Sequence, residues 1–488
     1  MMGTPLRIGD LVRQTLRRTG MVARTHWLFL IVLALGAAGR VLTMIAYQPV
    51  LMYIDSYRYL GNVYTLNPRS MDPIGYPLFL RLVLWLGSLA VVAAIQHLLG
   101  LGMGVCIYVL LRRREVPKPL AALASAPVLL DAYQWQIEQN VLSDSLFLAM
   151  VTAAMTVLAW RRQPGAKLAA AAGLILGLAV TVRLVGEVTI LPALLFVALA
   201  AGPTWRRKLQ VCSVLALAFV LPATSYVIYA HVATGDGYAQ AENDNALLYG
   251  RTATFANCSA LPAVYQSICP PGTLAEREAL GPDYFANAAP YPVPTVLMHP
   301  FAWYVIEHQP GDFLYAVGRD FLQLFISPRE TVYGGTDITR WQFQTTYPVW
   351  SKKPDVAQDE LRAFGETGPA VNAGAVRVLI DYQHNGGYTP GWLFAAFLLL
   401  GLAGALGLTR SARRSRHRLA CLLWTVTGVG LLLTADLFEF SWRYQLPALV
   451  FLPAGGVLGL RALLDPDKPL RLPALAHRSP QPTQRELV

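Results

Sequence analysis

The sequence predicts an all-α polytopic membrane protein of about ten transmembrane helices (spans), with an external domain of mixed structure between spans 7 and 8. Of 488 residues, 55% are hydrophobic and 14% are charged, whereas soluble domains carry about 25% charged residues. A helix needs about 20 apolar residues to cross a bilayer. The apolar stretches that meet or approach this length are approximately 27–47, 83–111, 119–133, 141–160, 168–183, 187–203, 209–230, 391–409, 419–436 and 445–463.

Basic residues indicate how these spans are oriented. An even number of spans places both termini on one side, and loops rich in arginine and lysine mark the cytoplasmic side. The net charge of +11 therefore reports topology and does not indicate a nucleic-acid partner. The basic loop residues are Arg112, Arg113, Arg114, Lys118, Arg161, Arg162, Lys167, Arg206, Arg207, Lys208, Arg410, Arg413, Arg414, Arg416 and Arg418.

These patterns divide the chain into five parts. We expect a plasma (inner) membrane protein with both termini in the cytoplasm, and its basic start suggests a retained anchor rather than a cleaved signal. The predicted parts are a cytoplasmic N-terminus (1–26), a transmembrane module (27–230) that includes the first external loop (48–82), an external domain (231–390), C-terminal transmembrane helices (391–463) and a disordered cytoplasmic tail (464–488).

The external domain contains Cys258 and Cys269. Outside the cytoplasm a disulfide between them is plausible, and two free thiols are the alternative. The stretch 301–326 is rich in aromatic residues but is interrupted by charges, which predicts an amphipathic helix at the membrane surface.

Charged residues that face the outer side are the candidate functional residues. Carboxylates and arginines at membrane depth cost free energy unless they have partners. For each of them a structural ion pair, such as Arg183 with Asp144 or Glu187, is the alternative to a functional role. The tyrosines alone are typical of an interfacial belt. The candidates are Asp55, Tyr57, Arg58, Glu138, Asp144, Arg183, Arg443 and Tyr444, with Arg40 in addition.

Together these residue types suit chemistry on a lipid phosphate. The planar guanidinium of arginine matches phosphate, and it offsets the charge that develops on a leaving group. A carboxylate removes the proton from an attacking hydroxyl. Nucleotide-binding and nucleophile-elbow motifs are missing from the sequence, which favours a donor carried in the membrane.

The pattern resembles the GT-C glycosyltransferases, which use polyprenyl-phosphate sugars and include protein O-mannosyltransferases and lipid A aminoarabinose transferases. The resemblance covers approximately residues 27–230 and the final hairpin, but not the external domain. The residues that carry it are Asp55, Gly75-Tyr76-Pro77-Leu78, Leu142-Ser143-Asp144-Ser145-Leu146, Arg183, Arg443-Tyr444 and Pro447.

The resemblance implies a role for each matching position. Asp55 is the expected catalytic base, and Arg183 and Arg443, with Tyr444, are expected to bind the donor phosphate. Asp144, with Glu138, Tyr57 and Arg58, is expected to position donor or acceptor. Many members carry a second acid directly after the first-loop aspartate, and here that residue is Ser56. We predict no cofactor, and metal dependence stays open.

The predicted function is therefore transfer of a sugar from a polyprenyl-phosphate donor to an acceptor hydroxyl at the outer face. Mannose and arabinose are both possible sugars, and the acceptor is a glycan, a lipid or a protein. A lipid-linked sugar flippase or secondary transporter is the main alternative, although such proteins show internal repeats and midplane polar residues. A non-catalytic envelope scaffold would leave the Asp and Arg residues at the membrane unexplained.

Overall fold

The computed structural model describes residues 8–68, 72–234, 241–287, 293–351, 353 and 355–464. Within this part the chain is predominantly helical. The first ten helices are α1 (Ile8–Ala46), α2 (Ile54–Gly61), α3 (Gly75–Leu84), α4 (Leu89–Arg113), α5 (Lys118–Leu130), α6 (Ala132–Gln139), α7 (Asp144–Leu158), α8 (Ala166–Val182), α9 (Ile190–Ala200) and α10 (Trp205–Thr234).

Helices continue through the second half of the chain. Two short strands, β1 (Tyr47–Gln48) and β2 (Ala370–Val371), form one antiparallel pair. The remaining helices are α11 (Ala241–Ala253), α12 (Ala263–Gln266), α13 (Leu274–Asn287), α14 (Thr295–His308), α15 (Pro310–Gln323), α16 (Val356–Ala363), α17 (Ala373–His384), α18 (Gly391–Leu406), α19 (Arg410–Arg414), α20 (Arg418–Asp436) and α21 (Pro447–Leu463).

Each of the ten predicted apolar stretches coincides with a helix. Four helices among the described residues are long and apolar enough to cross a membrane, at Arg24–Ala46, Leu89–Arg113, Trp205–Ala233 and Arg418–Asp436. The other apolar helices have 10 to 17 residues, so a total of ten spans stays a prediction. The stretch 83–111 is divided, because α3 ends at Leu84 and α4 begins at Leu89.

Small residues allow helices of the bundle to pack closely. A Cβ atom on Gly459 of α21 would lie 2.1 Å from the carbonyl oxygen of Leu400 in α18, and one on Gly177 of α8 would lie 2.2 Å from that of Phe219 in α10. Larger side chains at these positions would separate the backbones, so the glycines determine how closely these pairs pack.

The insert between α10 and α18 has a hydrophobic core of its own. Tyr249, Phe285 and Phe301 are buried together there. The structure joins Cys258 to Cys269 in a disulfide with an S–S distance of 2.08 Å, as the disulfide alternative predicted.

The stretch 301–326, predicted as one amphipathic helix, is helical in the structure, but it is divided in two. The structure has two helices, α14 ending at His308 and α15 beginning at Pro310. Proline lacks a backbone N–H and fits the first turn of a helix rather than its interior. Pro310 therefore begins a new helix.

The insert lies against the segment that follows α1 and against the bundle. Tyr47 of β1 pairs with Val371 of β2. Arg329 donates to Asp131 at 2.8 Å, and buried Arg251 pairs with Asp320 while donating at 3.0 Å to the carbonyl oxygen of Asp436. These contacts hold the insert over the end of the bundle where α2 lies.

Two predicted terminal parts of the chain fall wholly or partly outside the described residues. The predicted disordered tail lies outside them from position 465 onward. Residues 1–7 of the predicted cytoplasmic N-terminus also lie outside them.

Candidate active site

Four chain segments far apart in sequence meet at one end of the bundle. They are helix α2 in the first loop, the first turn of α7, the residue after α8, and the connection between α20 and α21. Each contributes one of the predicted residues, in order Asp55, Asp144, Arg183 and Arg443. The structure brings these four side chains into one continuous chain of ion pairs.

Asp55 is held by two arginines. Its Oδ2 lies 2.5 Å from Arg443 Nη1, and its Oδ1 lies 2.6 Å from Arg58 Nη2. Arg58 is on the same helix three residues later, which places the two side chains on one face. Each carboxylate oxygen has two lone pairs, so Asp55 retains acceptor capacity beyond these two bonds.

Asp144 links the two predicted phosphate-binding arginines. Its Oδ2 accepts from Arg443 Nε at 3.0 Å and from Arg443 Nη2 at 2.7 Å, and its Oδ1 accepts from Arg183 Nη1 at 2.7 Å. The alternative ion pair of Arg183 with Asp144, considered from the sequence, is therefore present. The same arginine that pairs with Asp144 also pairs with Asp55, so one guanidinium connects both carboxylates.

Asp72 extends the chain of ion pairs at its other end. Its Oδ2 lies 2.7 Å from Arg58 Nε. Three carboxylates thus alternate with three guanidinium groups, and their formal charges cancel. Burial is uneven, because the side chain of Arg443 is 2% exposed whereas those of Arg183 and Arg58 are 20% and 34% exposed. A ligand therefore has access from the Arg183 and Arg58 ends.

Aromatic rings surround the central arginine. The guanidinium carbon of Arg443 lies 5.7 Å from the ring centroid of Tyr53, 5.6 Å from that of Trp341 and 5.5 Å from that of Tyr444. Arg183 also lies 5.5 Å from the Tyr444 ring. The rings attract the cations and exclude water, and they leave the guanidinium edges for hydrogen bonding.

Burial and charge act in opposite directions on the acids of this region. Burial alone would raise the pKa of Asp55, but Arg443 and Arg58 outweigh it and hold the pKa below its usual value. Burial raises the pKa of Asp72 despite Arg58. Burial and nearby Asp283 raise the pKa of Glu439, in the connection between α20 and α21, to about 8. Because its pKa is held below the usual value, Asp55 is ionised at neutral pH.

Ser56 occupies the position that is an acid in many of the proteins the chain resembles. Its hydroxyl accepts from the backbone N–H of Tyr53 at 2.9 Å and donates to the carbonyl oxygen of Val141 at 2.9 Å. The first bond ties the first turn of α2 to its N-cap residue, and the second ties α2 to the segment before α7. Among the described residues, no group of three or more His, Cys, Asp and Glu side chains could hold a metal ion. The carboxylate of Asp55 lies between two arginines, whose positive charges would repel a metal cation.

Two of the predicted residues, Glu138 and Arg40, lie in a separate cluster. Glu138 on α6 accepts from Arg40 Nε at 2.7 Å and contacts His97 at 2.9 Å, and all three are buried. The structure does not bring Glu138 together with Asp144. Because the cluster connects α1, α4 and α6, it fastens the helices under the loop that carries Asp55.

Tyr57 and Arg58 both lie on α2, and Arg58 belongs to the chain of ion pairs through Asp55 and Asp72. The Tyr57 hydroxyl is buried and has no hydrogen-bond partner among the described residues, and burial with nearby Glu360 raises its pKa to about 12. It therefore stays protonated and has an unused O–H donor.

Sequence reasoning missed part of the site. Arg340 of the insert donates to the Tyr53 hydroxyl at 2.9 Å and to Asp283 at 3.2 Å, and Trp341 packs on the Tyr53 ring at 4.7 Å. Asp72, which pairs with Arg58, is not among the candidate functional residues identified from the sequence. Nearly 300 positions separate Trp341 from Tyr53, and no spacing rule in a sequence connects them.

Comparisons with known proteins agree with the predicted resemblance. Residues 87–234 match the family model of dolichyl-phosphate-mannose-protein mannosyltransferases. The resemblance to GT-C glycosyltransferases is therefore confirmed over that segment, which includes Asp144 and Arg183. A search of curated protein sequences found no match.

Two similar solved structures are of the oligosaccharyltransferase from Archaeoglobus fulgidus. One is tethered to an acceptor peptide with an NVT sequon, with 14% identity and a TM-score of 0.44. The other, named AglB, is in complex with an inhibitory peptide and a dolichol-phosphate, with 13% identity and a TM-score of 0.41. Each match covers 90% of this chain and 50% of the other, so this chain spans about half their length. At these TM-scores the likeness carries no argument about this chain.

Proposed function

We propose that this chain is a membrane glycosyltransferase that moves a sugar from a polyprenyl-phosphate donor to an acceptor hydroxyl at the outer face of the plasma membrane. The family-model match supports a lipid-linked donor. The observation that carries the proposal is the joining of Asp55 and Asp144 by the single guanidinium of Arg443, with Arg183 beside them. This arrangement puts a base and two phosphate-binding arginines within one site.

The donor phosphate binds to Arg183 and Arg443. Arg183 is the more accessible of the two, so the phosphate approaches from its side and over the Tyr444 ring. Asp144 holds both guanidinium groups in place. The phosphodiester carries one negative charge and gains another when the sugar leaves, and fixed cations stabilise that additional charge.

Asp55 removes the acceptor proton. The acceptor oxygen forms a bond to the anomeric carbon of the sugar, and the bond from that carbon to the phosphate oxygen breaks. The electron pair leaves with the polyprenyl phosphate, and the acceptor proton moves to the Asp55 carboxylate. The products are the glycosylated acceptor and the lipid phosphate.

Donor binding and base availability are coupled in this arrangement. Arg443 Nη1 is bonded to Asp55 Oδ2 at 2.5 Å before the donor arrives. A phosphate oxygen competes for that guanidinium, and the loss of this cation releases one carboxylate oxygen and raises the basicity of Asp55. Asp55 is thus a better base when the donor is present. Tyr57 is also expected from the sequence to position donor or acceptor; its hydroxyl is buried near Glu360, and this role stays a prediction.

A reconstituted transfer assay tests this function. The protein is placed in proteoliposomes with polyprenyl-phosphate mannose, the first sugar to try because of the family name, and with candidate acceptors. Asp55→Asn should lower the rate by about 100-fold to 10,000-fold, the range for a lost general base. Asp312→Asn, an exposed acid on α15, is the matched control. A fully active Asp55→Asn, with the control unchanged, would refute the mechanism.

A flippase or transporter is the second candidate. The observation that favours it is the closed set of ion pairs, because such a set between separate helices also serves as a gate. A fluorescent polyprenyl-phosphate sugar in sealed vesicles separates the two functions. Movement of the lipid across the bilayer without an acceptor, and without product, would replace the transferase by the transporter.

A further inference from the structure

A second group of charged residues lies at the opposite end of the bundle. Asp144 begins α7 and Leu158 ends it, so the residues after Leu158 are at the far end from the candidate active site. The end of α4 and the connection between α19 and α20 meet them there. Together they line a cavity of about 430 Å³ formed by Arg113, Arg114, Trp160, Arg161, Arg162, Arg416 and His417.

The lining arginines outnumber the carboxylates that pair with them. Glu115 contacts Arg416, and it lies 3.9 Å from Arg162. Two other lining arginines are turned to backbone carbonyl groups, as Arg114 Nε donates to Ala159 at 3.0 Å and Arg113 Nε donates to Trp160 at 2.8 Å. These bonds fix the directions of the guanidinium groups but leave their charge unbalanced.

Two buried side chains here lack partners. His417 is 1% exposed and lines the cavity, and neither of its ring nitrogens has a hydrogen-bond partner among the described residues. Arg461, in the last turn of α21, is 4% exposed, and its Nε and Nη1 also lack partners. Unsatisfied buried polar groups are costly, so this arrangement suits a ligand that brings acceptor oxygens.

The electrostatics support an anionic ligand. Burial first, and then Arg416, Arg461, Arg114 and Arg162, hold the pKa of His417 down at about 4. Burial, with Arg162 and Arg113, lowers the pKa of Arg114 to about 10. Burial is the larger cause of both shifts, and the nearby arginines add to it; arginines held this close to one another gain free energy when an anion enters between them.

The role of basic loops in orienting the membrane spans does not explain this cavity. Arginines in short cytoplasmic loops would orient the spans wherever they point. They would not need to converge on one cavity or bury Arg114 and His417 to do so.

We propose that this cavity binds a phosphate-bearing anion, in the first place the head group of an anionic phospholipid. Arginine forks match phosphate oxygens, and basic pockets between transmembrane helices accept anionic lipid head groups. Trp160 forms part of the wall where apolar helix α7 ends, which is the level of the head groups. A soluble phosphate compound has the same chemistry, and the experiment distinguishes the two sources.

The test uses the full chain, delipidated in a non-ionic detergent. It is titrated separately with phosphatidylglycerol, phosphatidylcholine and sodium pyrophosphate, with bound ligand counted by native mass spectrometry and the thermal midpoint recorded in parallel. The double variant Arg162→Gln/Arg416→Gln removes two lining cations that are partly exposed. Arg206→Gln/Arg207→Gln, exposed at the start of α10, is the matched control.

We expect the wild-type chain to bind phosphatidylglycerol at least about tenfold more tightly than phosphatidylcholine. The cavity double variant should lose about tenfold or more of that affinity, since two cations near a phosphate are removed. The control double variant should retain it. This result supports the lipid head group as the ligand.

The alternative result is that pyrophosphate binds, displaces the lipid and loses affinity in the same variant. That result supports the anion site and identifies its ligand as a soluble phosphate compound. A wild-type chain with no preference for either anion over phosphatidylcholine would overturn the proposal. Equal losses in the two double variants would overturn it as well, because the effect would then come from net charge. Arg161→Gln serves as a second cavity variant if the double variant does not fold.

Discussion

Arg443 Nη1 lies 2.5 Å from Asp55 Oδ2, while Nε and Nη2 of the same guanidinium contact Asp144 Oδ2. Arginine's planar fork can bond two carboxylates in fixed directions, which a single ammonium group cannot do. The geometry of the whole site therefore depends on one side chain in the connection between α20 and α21.

Arg443→Lys should lower the transfer rate by about 100-fold or more, because a point charge does not hold Asp144 and a phosphate in fixed directions at the same time. The measurement is the rate with saturating donor, compared with Arg377→Lys, an exposed residue of α17. A lysine variant with wild-type turnover would show that positive charge alone is required at this position.

Removing Arg58 should change the pH dependence of the reaction. Arg443 and Arg58 together hold the pKa of Asp55 below its usual value, so the base stays ionised as the pH falls. In Arg58→Gln one of these cations is lost, and the acid limb of the pH profile should move to higher pH.

The measurement is kcat/KM against pH for the wild type and Arg58→Gln. An acid limb that does not move would mean that the group responsible for it is not Asp55.

Glu439 should make the protein less stable at alkaline pH. Its pKa is about 8 in the folded protein against an ordinary value of 4.5, so the folded state binds more protons between these values. Its stabilising contribution is therefore complete below about pH 4.5 and is lost as the pH rises through about 8.

Glu439→Gln removes this ionisation with little change of shape. The variant should have a higher thermal midpoint than the wild type at pH 9, by an amount that reflects several kcal/mol, and nearly the same midpoint at about pH 4, where Glu439 is protonated in both states. A difference that does not vary with pH would indicate a packing effect instead.

Glu138→Gln should destabilise the bundle. The carboxylate is buried between Arg40 and His97, and breaking such a pair leaves an uncompensated charge at a cost of about 3–5 kcal/mol. The free energy of unfolding in denaturant is the measurement. The double variant Arg40→Met/Glu138→Leu should recover much of the loss.

The same variant also tests the positioning role expected for Glu138 from the sequence. If Glu138 acts only through the fold, turnover per folded molecule should stay within about twofold of the wild type, since effects outside the reacting groups are small. A normal unfolding free energy together with low turnover would instead place Glu138 in the donor site.

Much of this protein follows from local rules. A spanning helix needs a run of apolar residues, and such runs are visible directly, so each of the ten stretches contains a helix. Helix breaks are less visible, and the single helix expected over 301–326 is interrupted because Pro310 begins a new one. The count of spans depends on how short helices lie in the bilayer, which composition does not determine.

The candidate site was predictable only in part. Charges at membrane depth stand out because burial is costly without partners, and this identified Asp55, Asp144, Arg183 and Arg443. The cost of burial did not separate Glu138 from these four residues, since Glu138 and Asp144 follow apolar stretches on the same predicted face. The helix break between Glu138 and Asp144, at Asn140, sends the two side chains to different clusters.

The sequence by itself determined the membrane class, the helices, the charged residues at one end of them and the resemblance over approximately residues 27–230 and the final hairpin. Only the tertiary structure decided which charges pair, that Arg443 joins two carboxylates, that Ser56 caps α2, and that Arg340 and Trp341 complete the surroundings. The physical reason is that helix formation depends on neighbours along the chain. Ion pairing depends instead on distances of a few ångströms between side chains hundreds of positions apart, which only packing determines.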